Sequence, residues 1–279
     1  CESGCVTLSD IRVGVLGLGS MGRHHVRNAR ALPGFELVAI ADQMGDRFGV
    51  AGDLEVLDSV DAMIDVGIDA AIVAVPTVDH EAAALKLAAA GVNTLIEKPL
   101  AATVQSGKKI AEAFQEAELV GAVGYVERCN PALLEMRKRL QEGQLGRIYQ
   151  IVTRRQSPFP ARISDVGVVK DLATHDVDLA AWLAGSPYSL VFAQTAYQSG
   201  REHEDMVTVS GRFANGVLVN HLVNWLTPTK ERLTIVTGEK GMFVADTLTA
   251  DLTFYANGQV QTTWDDIAQF RGVSEGDVT

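Results

Sequence analysis

The apolar positions of this chain change period once, near Tyr125. Before that point, short apolar runs of strand length alternate with stretches of helical spacing. Ile11–Leu16, Phe35–Ala41, Asp69–Val75, Val92–Ile96 and Leu119–Tyr125 are the predicted strands. Met21–Ala31, Val60–Val66, His80–Ala90 and Thr103–Glu116 are the predicted helices, with Pro33-Gly34 breaking the first and Gly91 past the end of the third. The Gly- and Asp-rich stretch between Asp42 and Asp58 reads as loop or short helix. Strands alternating with helices over short links predict a parallel, doubly wound sheet.

After Tyr125 the runs alternate apolar and polar residues: Arg147–Arg154, Leu190–Tyr197, Asp205–Phe213, Val217–Trp225, Glu231–Gly238 and Met242–Asp246. Ala214-Asn215-Gly216 is a hairpin signal between two of them. One helix, Pro131–Glu142, precedes the runs, and a second, around Asp171–Leu183, interrupts them. The fold class is therefore α/β: an N-terminal Rossmann-type parallel sheet, then an α+β domain with an open, mainly antiparallel sheet. The expected domains are residues 10–125, for cofactor, and 126–279, for substrate and oligomerisation. The open sheet's second face needs cover, and a homo-oligomer, dimer or tetramer, would supply it.

The first strand runs into Gly17, Gly19 and Gly22, the second ends on Asp42, and a helix lies between them. This is the dinucleotide-binding fingerprint in its required context. Gly17 permits the tight turn, Gly19 lets the backbone approach a pyrophosphate, and Gly22 lets the helix pack closely on the strand. The pyrophosphate would sit on the free N–H groups of the helix N-terminus. Asp42 stands 20 residues after Gly22, where a carboxylate accepts from a ribose 2′-OH and repels a 2′-phosphate, so NAD is expected over NADP. A doubly wound domain with a tight turn and no ligand is the plainer alternative. Gly17, Asp42, Pro76, Lys98 and Tyr125 all follow predicted parallel strands, and such ends line one crevice.

Composition narrows the partners. The chain has 279 residues, 47% hydrophobic and 21% charged, and a net charge of −11 from 24 Lys+Arg against 35 Asp+Glu. That balance argues against a nucleic-acid surface and against an anionic membrane. No apolar run reaches the ~18 residues of a membrane span. The opening CESGCVTLSD lacks the basic and apolar regions of a signal peptide, so a cytoplasmic protein is expected. Cys1, Cys5 and Cys129 are too few and too odd for a disulfide framework, and no His or Cys pair stands near Cys1 and Cys5 to complete a metal site.

Three groups of residues could carry chemistry. Lys98, in Glu97-Lys98-Pro99, would point into the crevice and polarise or deprotonate a substrate hydroxyl, or else be a surface lysine paired with Glu97; its bond to Pro99 is a candidate cis peptide. Asp171, His175, Asp178 and Trp182, spaced 4, 3 and 4 apart, form one stripe of a helix. A carboxylate four residues before a histidine orients the imidazole and stabilises its cation, and histidine suits proton transfer near neutral pH; an exposed face with a minor ion pair is the alternative. A zinc reading is poorer, since no H-x-x-x-H pair is present and Asp-rich sites favour hard cations. The stretch Thr153–Gly167 reads as a loop holding Arg154, Arg155 and Arg162 beside Phe159, which suits a phosphate or carboxylate, or merely covers the sheet rim.

With these residues assembled, the chain from Ile11 onward resembles the glucose–fructose oxidoreductase / inositol dehydrogenase / rhizopine-catabolism (Gfo/Idh/MocA) family. The resemblance rests on GLGSMG, Asp42, VPTVDH at 75–80, EKP at 97–99 and DLATHDVD at 171–178. It implies an NAD-dependent dehydrogenase with Lys98, Asp171 and His175 as catalytic group. It further implies cofactor contacts from Gly17, Gly19, Ser20, Met21, Gly22, Asp42, Pro76, Thr77, His80, Glu97 and Lys98, and no metal. SPFPARISDVGVVKDLATHDVD is similar to UDP-N-acetylglucosamine 3-dehydrogenases, which implies a nucleotide sugar oxidised at C3 and held by Lys98, Arg162 and His175. A myo-inositol or simple-sugar dehydrogenase, and a cofactor-binding regulator without turnover, are the other readings; a regulator needs none of the three catalytic residues. The chain is short for the family, so the protein is expected to continue beyond Thr279.

Overall fold

The structure, a computed structural model, describes residues 10–160 and 166–258. The chain divides into two compact units between Val126 and Glu127.

The first unit runs β1 (Ile11–Leu16), α1 (Gly22–Ala31), β2 (Phe35–Ala41), β3 (Val56–Leu57), α2 (Val60–Asp65), β4 (Ala70–Val73), α3 (His80–Ala89), β5 (Asn93–Glu97), α4 (Val104–Glu116) and β6 (Gly121–Gly124). Its six strands are all parallel, in the order β3-β2-β1-β4-β5-β6. Adjacent strand residues go to opposite faces, as the pleat requires. Val15 and Ile40 pack with Leu18 and Val26 of the α1 side, while Leu16 and Ala41 pack with Met63, Leu87, Ile110 and Phe114 of α2, α3 and α4. Helices thus cover both faces, which is why these strands read as near-continuous apolar runs. Order reverses at β1, where β2 and β4 lie on either side, and the crevice at such a switch point is where an open α/β sheet binds its ligand. The Gly- and Asp-rich stretch after Asp42 forms turns and the two-residue β3 in place of the predicted loop or short helix.

The second unit holds α5 (Pro131–Gln141), β7 (Ile148–Pro158), α6 (Thr174–Ala184), β8 (Tyr188–Ala196), β9 (Met206–Phe213), β10 (Leu218–Asn224), β11 (Leu226–Gly238), β12 (Gly241–Asp246) and β13 (Asp251–Ala256). Its seven-stranded sheet has the order β13-β12-β11-β7-β10-β9-β8 and is antiparallel except for the parallel β7–β10 pair. The predicted hairpin is present, closed by Gly216 at φ 89°. Three expectations fail. β7 runs on to Pro158, past the predicted strand end at Arg154, so Arg155 also lies in a strand between β10 and β11 and not in a loop. Its alternation survives the arginines because one faces outward and the next is buried. β13 was not predicted, although Leu252 and Phe254 alternate with more exposed residues and pack against the core. The helix predicted around Asp171–Leu183 begins as a π-helical turn, Val169–Ala173, before α6.

One sheet face is covered by α5 and α6 through Leu133, Met136, Leu179 and Leu183 against Ile151, Phe213, Val219 and Phe243. The other face carries exposed Leu190 and Phe192 and a polar row in which Gln150 donates to Asn220 at 2.8 Å and Asn220 to Ser210 at 3.3 Å.

Beneath α6 the core is polar. His221 is buried with Nδ1 2.7 Å from the Thr153 hydroxyl and Nε2 2.9 Å from the Tyr188 hydroxyl. A neutral imidazole satisfies both contacts, one ring nitrogen donating and the other accepting. Burial pushes the His221 pKa down to about 4 and pushes that of Tyr188 up.

Because the unfolded imidazole gains its proton first, near pH 6.5, this residue destabilises the fold as pH falls from about 6.5 towards about 4. We expect wild type to lose on the order of 2 kcal/mol more than His221→Gln between about pH 7 and about pH 4.5. Urea unfolding at the two pH values measures this; equal losses would show that His221 protonates as readily in the fold as in water.

Candidate functional site

In the first unit the three glycines have three different reasons to lack a side chain. Gly17 stands at φ 93°, its N–H donates to Ala41 O at 2.7 Å, and an added Cβ would lie 2.6 Å from Ala74 O. The turn thus threads between the ends of β2 and β4. At Gly22 a Cβ would lie 1.8 Å from Gly17 O, so α1 touches the turn it leaves. A Cβ on Gly19 would meet nothing within 4 Å. Its small size serves no contact within the protein and leaves open space beside the start of α1. Ser20 and Met21 are exposed at that start, and Met21, the N-cap, provides no side-chain cap to the first N–H groups.

Asp42 follows β2 and is bound to this turn. One carboxylate oxygen accepts from Leu18 N at 2.6 Å and the other from Met44 N at 2.7 Å. Each oxygen keeps a lone pair, so the carboxylate is fixed in place yet able to accept from hydroxyls. An uncapped helix start, free space at Gly19 and an oriented acceptor are the donor set that NAD requires.

Pro76 and Thr77 begin a 3₁₀ turn after β4. His80, expected beside the cofactor, is buried at 1% exposure. Nε2 lies 3.0 Å from Val75 O, and Nδ1 lies 3.1 Å from Pro99 O and 3.2 Å from Leu100 O. With its ring nitrogens turned to backbone carbonyls, His80 braces the loop after β5 and presents no edge to a ligand. Glu97, the last residue of β5, is buried, with one oxygen 2.7 Å from His25 Nε2 and the other accepting from Lys98 N at 3.2 Å. Glu97 is thus engaged by His25 of α1. The Lys98–Pro99 peptide is cis, and Lys98 is half-buried at the end of β5. Nothing local distinguishes His25 from its neighbour His24; only the contact with Glu97 does so.

In the second unit Asp171 lies in the π-helical turn and His175 in the first turn of α6. Thr174 N–H donates to Val169 O, five residues back. That extra residue shifts Asp171 out of phase with His175, Asp178 and Trp182, which keep their helical spacing within α6. Glu204 holds the turn's start, accepting from Val169 N at 3.1 Å with its side chain and from Val168 N at 2.9 Å with its carbonyl. Asp178 takes a fork from Arg128, with Nε at 2.7 Å, and Trp182 lies under Arg128 and Arg137 at 5.9 and 5.5 Å. Asp178 and Trp182 are packing residues, leaving Asp171 and buried His175 as the candidate pair.

The arginines of the expected anion site divide. Arg154 pairs with Glu231 at 3.0 Å. Arg155 is 4% exposed, its Nε on Asp176 and one terminal nitrogen on Glu127, both at 2.8 Å, so it is not available to a substrate. Arg162 lies outside the described residues, as do Cys1 and Cys5. Phe159 stacks edge-on against Trp225 at 5.5 Å, with the Arg201 guanidinium 4.1 Å above it. Cys129 is exposed and free. Among the described residues no three His, Cys, Asp or Glu are grouped to hold a metal ion, and no helix is long and apolar enough to cross a membrane.

The oxidoreductase family described by an NAD-binding Rossmann fold matches residues 11–125, and the Gfo/Idh/MocA C-terminal domain matches residues 133–244. The chain belongs to the Gfo/Idh/MocA family. This family member is 32% identical to the NAD(+)-dependent scyllo-inositol 2-dehydrogenase of Bacillus subtilis, over 65% of this chain and 56% of that protein. Its fold matches UDP-N-acetylglucosamine 3-dehydrogenase GnnA of Acidithiobacillus ferrooxidans with a TM-score of 0.81, at 28% identity, over 90% of this chain and 81% of that one. It also matches the WlbA dehydrogenase of Bordetella pertussis, solved with NADH and UDP-GlcNAcA, with a TM-score of 0.80 and 26% identity over 95% and 89% of the two chains. The chain spans 56–66% of the length of the curated relatives it matches first.

The geometry at Gly19 separates fold from ligand. Gly19→Ala is expected to leave the melting temperature unchanged, because the new methyl meets no protein atom, and to weaken NAD binding about tenfold or more by occupying the backbone's approach to the pyrophosphate. Calorimetric titration and a thermal melt of one preparation check both. Undiminished NAD affinity would place the pyrophosphate elsewhere.

Proposed function

We propose that this protein is an NAD-dependent dehydrogenase that oxidises a secondary hydroxyl of a sugar or cyclitol. One observation carries the reading. Lys98 stands at the carboxyl end of β5, in the same sheet edge as the glycine turn after β1 and Asp42 after β2. A proton-transferring cation beside a dinucleotide turn is what hydroxyl oxidation asks of a protein. NAD, when bound, supplies the hydride acceptor.

In this reading Asp42 accepts from the adenosine ribose hydroxyls and the turn Gly17, Gly19, Ser20, Met21 and Gly22 holds the pyrophosphate. Pro76, Thr77 and Glu97 shape the nicotinamide side. Lys98 hydrogen-bonds the reacting oxygen and stabilises the alkoxide that develops on it. His175 takes the hydroxyl proton as general base, with Asp171 orienting its ring. Together these residues favour a catalyst over a cofactor-binding regulator without turnover.

For the substrate we propose a nucleotide sugar such as UDP-N-acetylglucosamine, oxidised at C3, with Arg162 among its anchors. The likeness to GnnA and to the UDP-GlcNAcA-bound WlbA supports this. A second reading, myo-inositol or a simple sugar, is favoured by the fate of the arginines. Arg154 and Arg155 are held by carboxylates, which leaves Arg162 alone of the three. We further propose that a second copy of the chain covers the open sheet face bearing Leu190 and Phe192, giving a homo-oligomer, dimer or tetramer.

Asp42→Ser is expected to narrow or reverse a wild-type preference for NAD over NADP, read as kcat/KM for each cofactor. A wild type that prefers NADP, or a ratio indifferent to the substitution, would take Asp42 out of the assignment.

Turnover is expected on a panel of UDP-N-acetylglucosamine, myo-inositol, scyllo-inositol and free glucose, followed by NADH absorbance. Lys98→Met and His175→Ala should each lower kcat by about 10²–10⁴-fold on whichever substrate reacts. NAD affinity should survive His175→Ala. A free cyclitol turned over in preference to the nucleotide sugar would decide for the second reading, and full activity in either variant would remove that residue from the mechanism.

A further inference from the structure

Two histidines of the first unit hold the backbone on either side of Lys98. Strands β1, β4 and β5 are neighbours in the parallel sheet, so the loops that follow them stand at one edge. These loops are the glycine turn, the Pro76–Thr77 turn and the segment Glu97–Leu100. His25 lies in the first turn of α1, and its Nε2 is 2.7 Å from one oxygen of Glu97, the last residue of β5. The other oxygen accepts from Lys98 N at 3.2 Å. A Cβ on Gly124 of β6 would lie 3.0 Å from the Glu97 carboxyl group, so a bare position on β6 makes the room that this carboxylate occupies.

His80, the first residue of α3, reaches the same segment beyond the lysine. Its Nδ1 lies 3.1 Å from Pro99 O and 3.2 Å from Leu100 O, and its Nε2 lies 3.0 Å from Val75 O. Carbonyl oxygens only accept, so whichever nitrogen carries a proton donates to one of two loops. At 1% exposure the ring is packed on all sides and cannot swing away. The backbone before the Lys98 side chain is thus held through Glu97 to α1, and the backbone after it to α3.

We propose that His25 and His80 are positioning residues that fix Lys98 from its two sides and tie it to the frame of the glycine turn. The inference rests on the role proposed above for Lys98. Neither histidine meets the cofactor or the hydroxyl. His25 acts through Glu97, and His80 acts through the carbonyls of Pro99 and Leu100. A lysine ammonium rides on a flexible stem, so its aim depends first on where its backbone stands. A reacting group displaced by about 1 Å loses on the order of 100-fold in rate. Buried histidines that only filled the core would leave Lys98 indifferent to how their hydrogen bonds were replaced.

The first readout needs no turnover. The whole chain is treated with limiting pyridoxal 5′-phosphate, which forms an imine with lysine amines. The imine is trapped with borohydride, and the peptide bearing Lys98 is compared by mass spectrometry with those bearing the other lysines. His25→Ala and His80→Gln are expected to raise the yield at Lys98 severalfold relative to the other lysines. His25→Gln keeps a donor where Nε2 stood, and His80→Asn keeps one where Nδ1 stood, so both should stay near wild type. Asn and Gln at position 80 both lose the ring, but only Asn reaches the loop after β5. Unchanged labelling in His25→Ala and His80→Gln, or equal rises in His80→Asn and His80→Gln, would overturn the proposal. If His25→Ala fails to fold, the two variants at position 80 decide. On a substrate that wild type oxidises, His80→Gln should lower kcat on the order of 10–100-fold, with NAD affinity by calorimetric titration little changed and His80→Asn restoring most of the rate. Weakened NAD binding with kcat intact would also overturn it. A wild type without turnover counts against the dehydrogenase reading, and the labelling still decides the brace.

Discussion

A guanidinium almost wholly removed from water fixes what the second unit must satisfy. Arg155 lies in the middle strand of a seven-stranded sheet, opposite Arg232 of β11, where a lone buried charge would cost several kcal/mol. It is tolerated because Asp176 and Glu127 meet it at 2.8 Å from two directions. Removing either partner would leave a buried charge uncompensated, which is far more costly than never having had the pair. The helix carrying His175 is therefore not held by Leu179 and Leu183 alone. Apolar packing would let it rotate or slide by a fraction of a turn, whereas the ion pairs and the Thr153–His221–Tyr188 chain fix its register against the sheet.

This interior also explains which parts of the site could be read from the sequence. The glycine turn and Asp42 were legible because their reasons are local. Gly22 answers a clash and Gly19 an approach within one βαβ unit, and the spacing of 20 residues to Asp42 follows from the length of one helix and one strand, although the clash at Gly17 comes from Ala74 after β4. Lys98 was legible because strand ends in parallel sheets have a fixed meaning. His175, Asp178 and Trp182 keep their predicted spacing within α6, but Asp171 does not share it, since a π-helical turn shifts the phase by one residue before α6 begins. No local pattern marks such a turn.

What could not be read was the pairing of charges across distant segments. Arg155 looked like one of three arginines awaiting an anion, and only the register of β7 against β10 and β11 shows that it points inward. Glu127 and Asp176 looked like ordinary polar residues near a turn and on a helix. His25 and His80 could not be sorted by type, one bound to a carboxylate and the other to carbonyls. In each case the deciding fact is a partner 19 to 72 residues away, and a single sequence does not carry that information.

The same solution recurs in both units, and it changes how the acidic balance of the chain should be understood. Asp42 is held by two backbone N–H groups, Glu97 by His25 and Lys98 N–H, Asp176 by Arg155, and Asp178 by Arg128. The carboxylates nearest the proposed chemistry are therefore oriented acceptors and not a diffuse field. A net charge of −11 would on its own suggest that the protein repels an anionic cofactor. The repulsion is weak at the place that matters, because α1 begins without an acidic residue in its first turn and with its N–H groups free of a side-chain cap. Long-range charge is screened within about 10 Å at ordinary salt, whereas the helix terminus and the fixed Asp42 act at contact distance. Local geometry, and not net charge, thus decides what this surface can hold.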